Sequence, residues 1–105
     1  MKDVILVGNS LVRIRDFPNG ARLDAGFQID KVQRGESPDD WKPLKTVGNG
    51  VKEIRIRGSR GQYRVVYLAC LDDEVFVLHA FQKKTQKTRK LDIDLARKSS
   101  REMGS

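Results

Sequence analysis

The sequence predicts one α+β domain over residues 1–105: a mostly antiparallel four-stranded sheet with two N-terminal helices packed on it and a C-terminal helix at an edge. Three observations carry this. Residues 18–34 repeat apolar side chains with a helical period, residues 51–81 hold three strand-like runs separated by turns of hairpin length, and residues 88–101 return to a weaker helical pattern. A chain of 105 residues leaves room for one modest core.

Val4-Ile5-Leu6-Val7 is a short apolar run closed by Gly8-Asn9, and it reads as a strand packed on both faces. Ser10 is placed to cap a short helix with Leu11 and Ile14 three apart, ended by Phe17-Pro18. A longer helix starts at Pro18 and stops at Gly35. Its Ala21, Ala25, Ile29 and Val32 form one stripe, with Leu23 and Phe27 nearly opposite. The second stripe either packs on the Ser10 helix or docks a partner. Residues 36–44 have loop chemistry with Trp41 as an anchor, and Gly48-Asn49-Gly50 makes a turn. The next strand alternates, with Ile54 and Ile56 on one face and Glu53, Arg55 and Arg57 on the other, so it should be half exposed. Residues 63–70 and 75–81 are apolar at both parities, as in strands covered on both sides. In the last helix Leu91, Leu95 and Ala96 share a side, and Asp92 and Asp94 lie in the early turns where the helix dipole favours them.

The net charge is +7, and residues 51–105 hold thirteen Lys/Arg against seven Asp/Glu, whereas residues 1–50 hold eight against seven. Fixed cations alternating along a sheet face and crowding the run Phe81-Gln82-Lys83-Lys84-Thr85-Gln86-Lys87-Thr88-Arg89-Lys90 suit a polyanion better than a small neutral ligand. No apolar run approaches the roughly 18 residues of a membrane span, and Met1-Lys2-Asp3 leads into a strand without a cleavable signal pattern; a cytoplasmic protein is expected. Cys70, the sole cysteine, reads as a buried inert thiol. One histidine and one cysteine cannot build a zinc site of the usual kind, so neither metal nor other cofactor is expected.

The runs Gly48-Asn49-Gly50-Val51-Lys52-Glu53-Ile54-Arg55-Ile56-Arg57, Tyr63-Arg64-Val65-Val66-Tyr67 and Leu78-His79-Ala80-Phe81-Gln82-Lys83-Lys84-Thr85-Gln86-Lys87-Thr88, closed by Asp92-Ile93-Asp94-Leu95-Ala96, resemble the HigB-like, phage-associated branch of the RelE/ParE toxin superfamily. Phe17-Pro18, Gln33-Arg34-Gly35 and Trp41-Lys42-Pro43-Leu44-Lys45 extend the likeness to nearly the whole chain. The resemblance implies a RelE-like fold and the toxin of a type II toxin–antitoxin pair. Such a toxin is an endoribonuclease that cleaves mRNA on the translating ribosome and is silenced by a small antitoxin, commonly of helix-turn-helix type. A ParE-like toxin that inhibits gyrase by binding, and a non-enzymatic RNA-binding module, are the alternatives.

RNA cleavage without a metal needs a base for the ribose 2′-OH, cations for the charge gathering on phosphorus and an acid for the leaving 5′-oxygen. Arg64, in a central strand, is the candidate transition-state cation; a structural ion pair is its other reading. Lys83 and Lys84 fall on opposite faces of a continued strand, so one should face the site and the other solvent. His79 has a pKa suited to proton transfer but sits between Leu78 and Ala80, where a satisfied core histidine is the more usual reading. Many RelE-type nucleases carry a tyrosine or histidine near the C-terminus, and this chain has neither after His79; His79 or a lysine fills the role, or catalysis is mainly electrostatic. Lys45, Lys52, Arg55, Arg57 and Lys87 are candidate RNA contacts, and Phe81 a candidate base-stacking platform alongside Tyr63. Leu23 and Phe27 are the candidate antitoxin-binding pair.

Overall fold

The computed structural model describes residues 1–69, 73–84 and 86–103. Cys70 and the first two residues of the expected turn at 71–73 lie outside the described residues, as do Thr85, Gly104 and Ser105. The elements run β1 (Asp3–Leu6), α1 (Ser10–Arg15), α2 (Asn19–Gln33), β2 (Trp41–Pro43), β3 (Val51–Gly58), β4 (Gly61–Ala69), β5 (Glu74–Lys83) and α3 (Lys90–Met103). The α+β class is as the sequence predicts, with five strands in place of four. Their order is β1-β5-β4-β3-β2, with β1 parallel to β5 and every other pairing antiparallel.

The added strand is β2, whose three residues are too few to show an alternation and which therefore read as loop. Pro43 is tolerated there because β2 is an edge. The Lys52 ammonium lies 4.5 Å from the centre of the Trp41 ring, a cation–π contact that fastens this edge. At the other edge β1 is half-buried rather than packed on both faces, with Leu6 37% exposed, because it has a neighbour on one side only.

Helix starts depart slightly from expectation. Asn9 takes the N-cap position of α1 with no side-chain cap, and Ser10 enters the first turn with its hydroxyl buried and unpartnered. Pro18 is the residue before α2 rather than within it. The other end of α2 matches: Gly35 has φ of +82°, its N–H donates to Val32 O and that of Glu36 to Lys31 O, a closure that glycine adopts without steric cost.

The sheet is covered on both faces. On the first, Ile14, Phe17, Ala21, Ala25, Ile29 and Val32 of the helical layer pack on Ile54, Ile56, Tyr63, Val65, Tyr67, Val75, Val77 and Ala80. On the second, Leu44, Val51, Val66, Leu78 and Phe81 gather under α3, whose Ala96 is fully buried and permits close approach. α3 therefore lies over β5 on the second face, not at an edge. Leu91, expected on its apolar side, is 59% exposed. Pairing between β4 and β5 slips once: Val66 faces His79 while Tyr67 faces Val77, so Leu78 is an extra residue in a β-bulge. Leu78 and His79 consequently both project toward the α3 side, Leu78 into the second cluster and His79 onto Asp92. Among the described residues no helix is long and apolar enough to cross a membrane.

Candidate nucleic-acid interface

α3 covers only the part of the second face that holds Val51, Val66 and Leu78. Across this face, strand register sets side chains in three rows: Glu53, Val66 and His79; Arg55, Arg64 and Phe81; Arg57, Gln62 and Lys83. The last two rows carry the cations that the alternation of β3 and the position of Arg64 in β4 lead one to expect. They open onto two adjoining depressions, one lined by Asp40, Arg55, Arg57, Gln62 and Arg64 and the other by Gly61, Gln62, Lys83, Lys84 and Gln86.

Arg64 is held from several sides. Its Nη1 donates to Tyr63 O at 3.0 Å and its Nη2 to Gln62 Oε1 at 3.1 Å. Its Nε lies 3.2 Å from Glu53 Oε1, an ion pair by distance, although the N–H is not aimed at that oxygen and neither atom has a hydrogen-bond partner among the described residues. Glu53 is fully buried, not half exposed as its parity suggests: Oε2 accepts from Thr88 Oγ1 at 3.0 Å, and Lys42 Nζ stands 3.8 Å from Oε1. Burial lowers the proton affinity of Arg64, Glu53 opposes this, and the adjacent Arg55 adds to it. The guanidinium stays charged throughout. The structural ion pair and the groove-lining position thus coexist in one side chain.

Lys83 shares this field. Its pKa is lowered, first by loss of hydration and then by the charges of Arg64 and Lys42; Glu53 opposes and Arg55 adds. The register sets Lys83 one row from Arg64 on the same face, and an ammonium so placed gives up its proton more readily than a solvated lysine. Lys84 lines the same depression from its exposed rim. Arg55 stands 3.8 Å from Asp40 Oδ1, and Arg57 is exposed.

The connection from β5 to α3 crosses the second face and is tied down twice. Thr88 bonds Glu53 on β3, and Asp92 meets His79 on β5, with His79 Nε2 at 2.9 Å from Asp92 Oδ1 and Arg89 Nε donating to Asp92 Oδ2 at 3.1 Å. A carboxylate only accepts, so the imidazole proton sits on Nε2. Burial holds the His79 pKa below its usual value, against the pull of Asp92, while Arg13 and Arg89 push the same way as burial. His79 is 3% exposed, the satisfied core histidine of the two readings, and it lines neither of the cationic depressions.

Other candidates scatter. Phe81 is 5% exposed and stacked on His79 with centroids 5.4 Å apart, so its ring is packed rather than presented to a base. Tyr63 is equally buried, on the first face against Phe17. Tyr67 lies in the same layer, and burial pushes its hydroxyl up to about 12. Lys52 points to the first face, over Trp41, away from Arg55 and Arg57. Lys45 and Lys87 are exposed in connections. Leu23 and Phe27 are 70% and 52% exposed, so they do not pack on α1; the Lys31 ammonium sits 5.6 Å from the Phe27 ring. Sequence reasoning did not single out Glu53, Thr88, Gln62, Lys42, Asp40 or Asp92. Their one visible signal is Glu53, an acid in a strand face otherwise basic.

Fold and site together define a small α+β protein whose open sheet face presents clustered cations, a surface suited to phosphodiesters. Residues 13–101 match the family described as Phage derived protein Gp49-like (DUF891), and the chain belongs to that family, part of the RelE/HigB-like toxins. No curated protein matches the sequence significantly.

Proposed function

We propose that the protein is the toxin of a type II toxin–antitoxin system and a metal-independent endoribonuclease that cuts mRNA on the translating ribosome. The observation that carries this reading is that Arg64 and Lys83 occupy adjacent rows of one open sheet face and line adjoining depressions, with Arg55 beside them and Glu53 and Lys42 paired beneath. In the proposed step the 2′-hydroxyl gives its proton to solvent water as its oxygen attacks the adjacent phosphorus, the phosphorane charge is taken up by Arg64 and Arg55, and Lys83 gives its proton to the departing 5′-oxygen. The products are a 2′,3′-cyclic phosphate and a free 5′-hydroxyl. Lys84 and Arg57 hold flanking phosphates, and His79 acts only by tying α3 to β5 through Asp92. Leu23 and Phe27 offer an apolar anchor for the antitoxin, whose acidic side chains would cover the cations.

RNA binding without cleavage is the competing reading, and the internal bonding of Arg64 favours it. Induction in bacteria, with primer extension on a reporter mRNA, separates the two. Wild type should yield discrete cuts and growth arrest, whereas Arg64→Ala should stay folded and cleave about 10²–10³-fold more slowly. A folded Arg64→Ala protein that arrests growth and cuts mRNA as well as wild type would sink the assignment.

A further inference from the structure

A second cleft of about 440 Å³ lies around the end of the sheet from the cationic face, lined among others by Arg13, Asp16, Phe17, Arg60, Tyr63 and Gln82. Two arginines from distant parts of the chain meet there, Arg13 from α1 and Arg60 from the β3–β4 turn. Among the described residues neither guanidinium forms an ion pair, and Asp16 is the one acid lining the cleft. Behind them the Phe17 and Tyr63 rings, centroids 4.8 Å apart, are packed in the core and close the cleft without offering a free ring face. With Arg13 half-buried, Arg60 exposed and a single acid nearby, the cleft suits the phosphates of a polyanion rather than a purely apolar ligand.

The cleft also adjoins the groove. The neighbouring depression is lined by Gly61 and Lys83, and the cleft by Arg60 and Gln82, each next in sequence. The ridge between them is Gly61 with Gln82 laid over it: Gln82 Nε2 donates to Arg60 O at 3.3 Å and lies 2.8 Å from where a Cβ at Gly61 would stand. Gly61 has φ of +142° and no side chain, which keeps this ridge low. A strand leaving the Arg64–Lys83 groove over the ridge therefore finds cations on both sides of it: Arg55, Arg57, Lys83 and Lys84 before, Arg60 and Arg13 after.

We propose that this cleft is a second RNA subsite, in which Arg13 and Arg60 hold the phosphates of nucleotides flanking the cleaved one as a single strand wraps the end of the sheet. The inference rests on the RNA reading of the cationic face, and the experiment separates the two. The probes are fluorescent single-stranded RNAs of three and of nine nucleotides, 2′-O-methylated throughout so that they cannot be cut, read by anisotropy across a salt series. The double variant Arg13→Ala/Arg60→Ala should bind the nine-mer at least tenfold more weakly while leaving the three-mer unchanged. Its slope of log affinity against log salt for the nine-mer should fall by roughly 1.4, about 0.7 for each phosphate that the protein no longer neutralises. Arg13→Lys/Arg60→Lys should restore most of the affinity, which a fold defect would not allow. Arg55→Ala/Lys83→Ala should weaken both lengths. Equal loss on both lengths in the Arg13/Arg60 double variant overturns the separate subsite. Unchanged binding of both overturns it too and leaves the cleft to an acidic protein segment. If Arg55→Ala/Lys83→Ala also changes nothing, the RNA reading of the face itself has failed.

Discussion

Replacing Glu53 by Gln removes the one buried negative charge beneath the cationic groove while keeping side-chain volume and an oxygen for Thr88. Arg64 Nε at 3.2 Å and Lys42 Nζ at 3.8 Å both lose their counter-charge. With an effective dielectric near 20, a pair at about 3 Å is worth roughly 5 kcal/mol of gross Coulomb attraction. Several kcal/mol of that is returned, because a buried carboxylate no longer has to be stripped of water. Arg64 also keeps Tyr63 O and Gln62 Oε1 as acceptors. The net loss should be about 2–3 kcal/mol, read as a fall in melting temperature on the order of 10 °C for a domain of this size. The same change removes the one group that raises the Lys83 pKa, so the pH profile of cleavage should move to lower pH. Calorimetric melting and pH–rate curves measure the two effects. A variant that melts with wild type would show that Glu53 does not anchor the groove, and an unmoved pH profile would show that Lys83 is not the proton donor.

The His79 pKa is depressed on folding, so folded protein binds fewer protons than unfolded protein just below pH 6.5. Stability should be complete above about 6.5 and should decline as pH falls through that value; denaturant titration at stepped pH should show a His79→Gln variant with a flatter acid limb, and an identical limb would count against the buried neutral imidazole. Because Leu23 and Phe27 are largely exposed, Leu23→Ser/Phe27→Ser should change stability by no more than about 0.5 kcal/mol per site while weakening antitoxin binding by more than tenfold. Titration calorimetry with the antitoxin, paired with thermal melting, tests this, and unchanged affinity would remove the pair from the interface.

The parts of the fold legible in the sequence are those where one periodicity dominates. The Ala21, Ala25, Ile29 and Val32 stripe, the alternation of β3 and the unbroken apolar runs of β4 and β5 each announce their burial directly. β2 was illegible because three residues carry no period, and the place of α3 because a helix's sequence states which side it buries, not which surface receives it. The candidate site divides the same way. Parity puts Arg55 and Arg57 on one face and Lys52 on the other, as the structure does; that Arg64 joins the first two follows from the pairing register, which the sequence does not state. Glu53 reads as a solvated residue until Thr88, thirty-five positions along the chain, arrives to bury it. Contacts of that kind depend on where a connection returns, which no local pattern encodes.

The extra residue in β5 reaches further than its own row. Every side chain after Leu78 has its facing inverted relative to an unbroken strand, so the bulge decides which of two neighbouring lysines serves the groove. With Leu78 inserted, Lys83 stands beside Gln62 on the face of Arg64; in a regular ladder that position would look toward the helical layer, and Lys84 would take its place. The doubled lysine therefore makes the strand tolerant of register error, since a cation meets the groove in either phase. The same sequence held in a regular ladder would keep a charge there but turn His79 away from Asp92, and with it lose one of the two ties that hold the β5–α3 connection across the sheet.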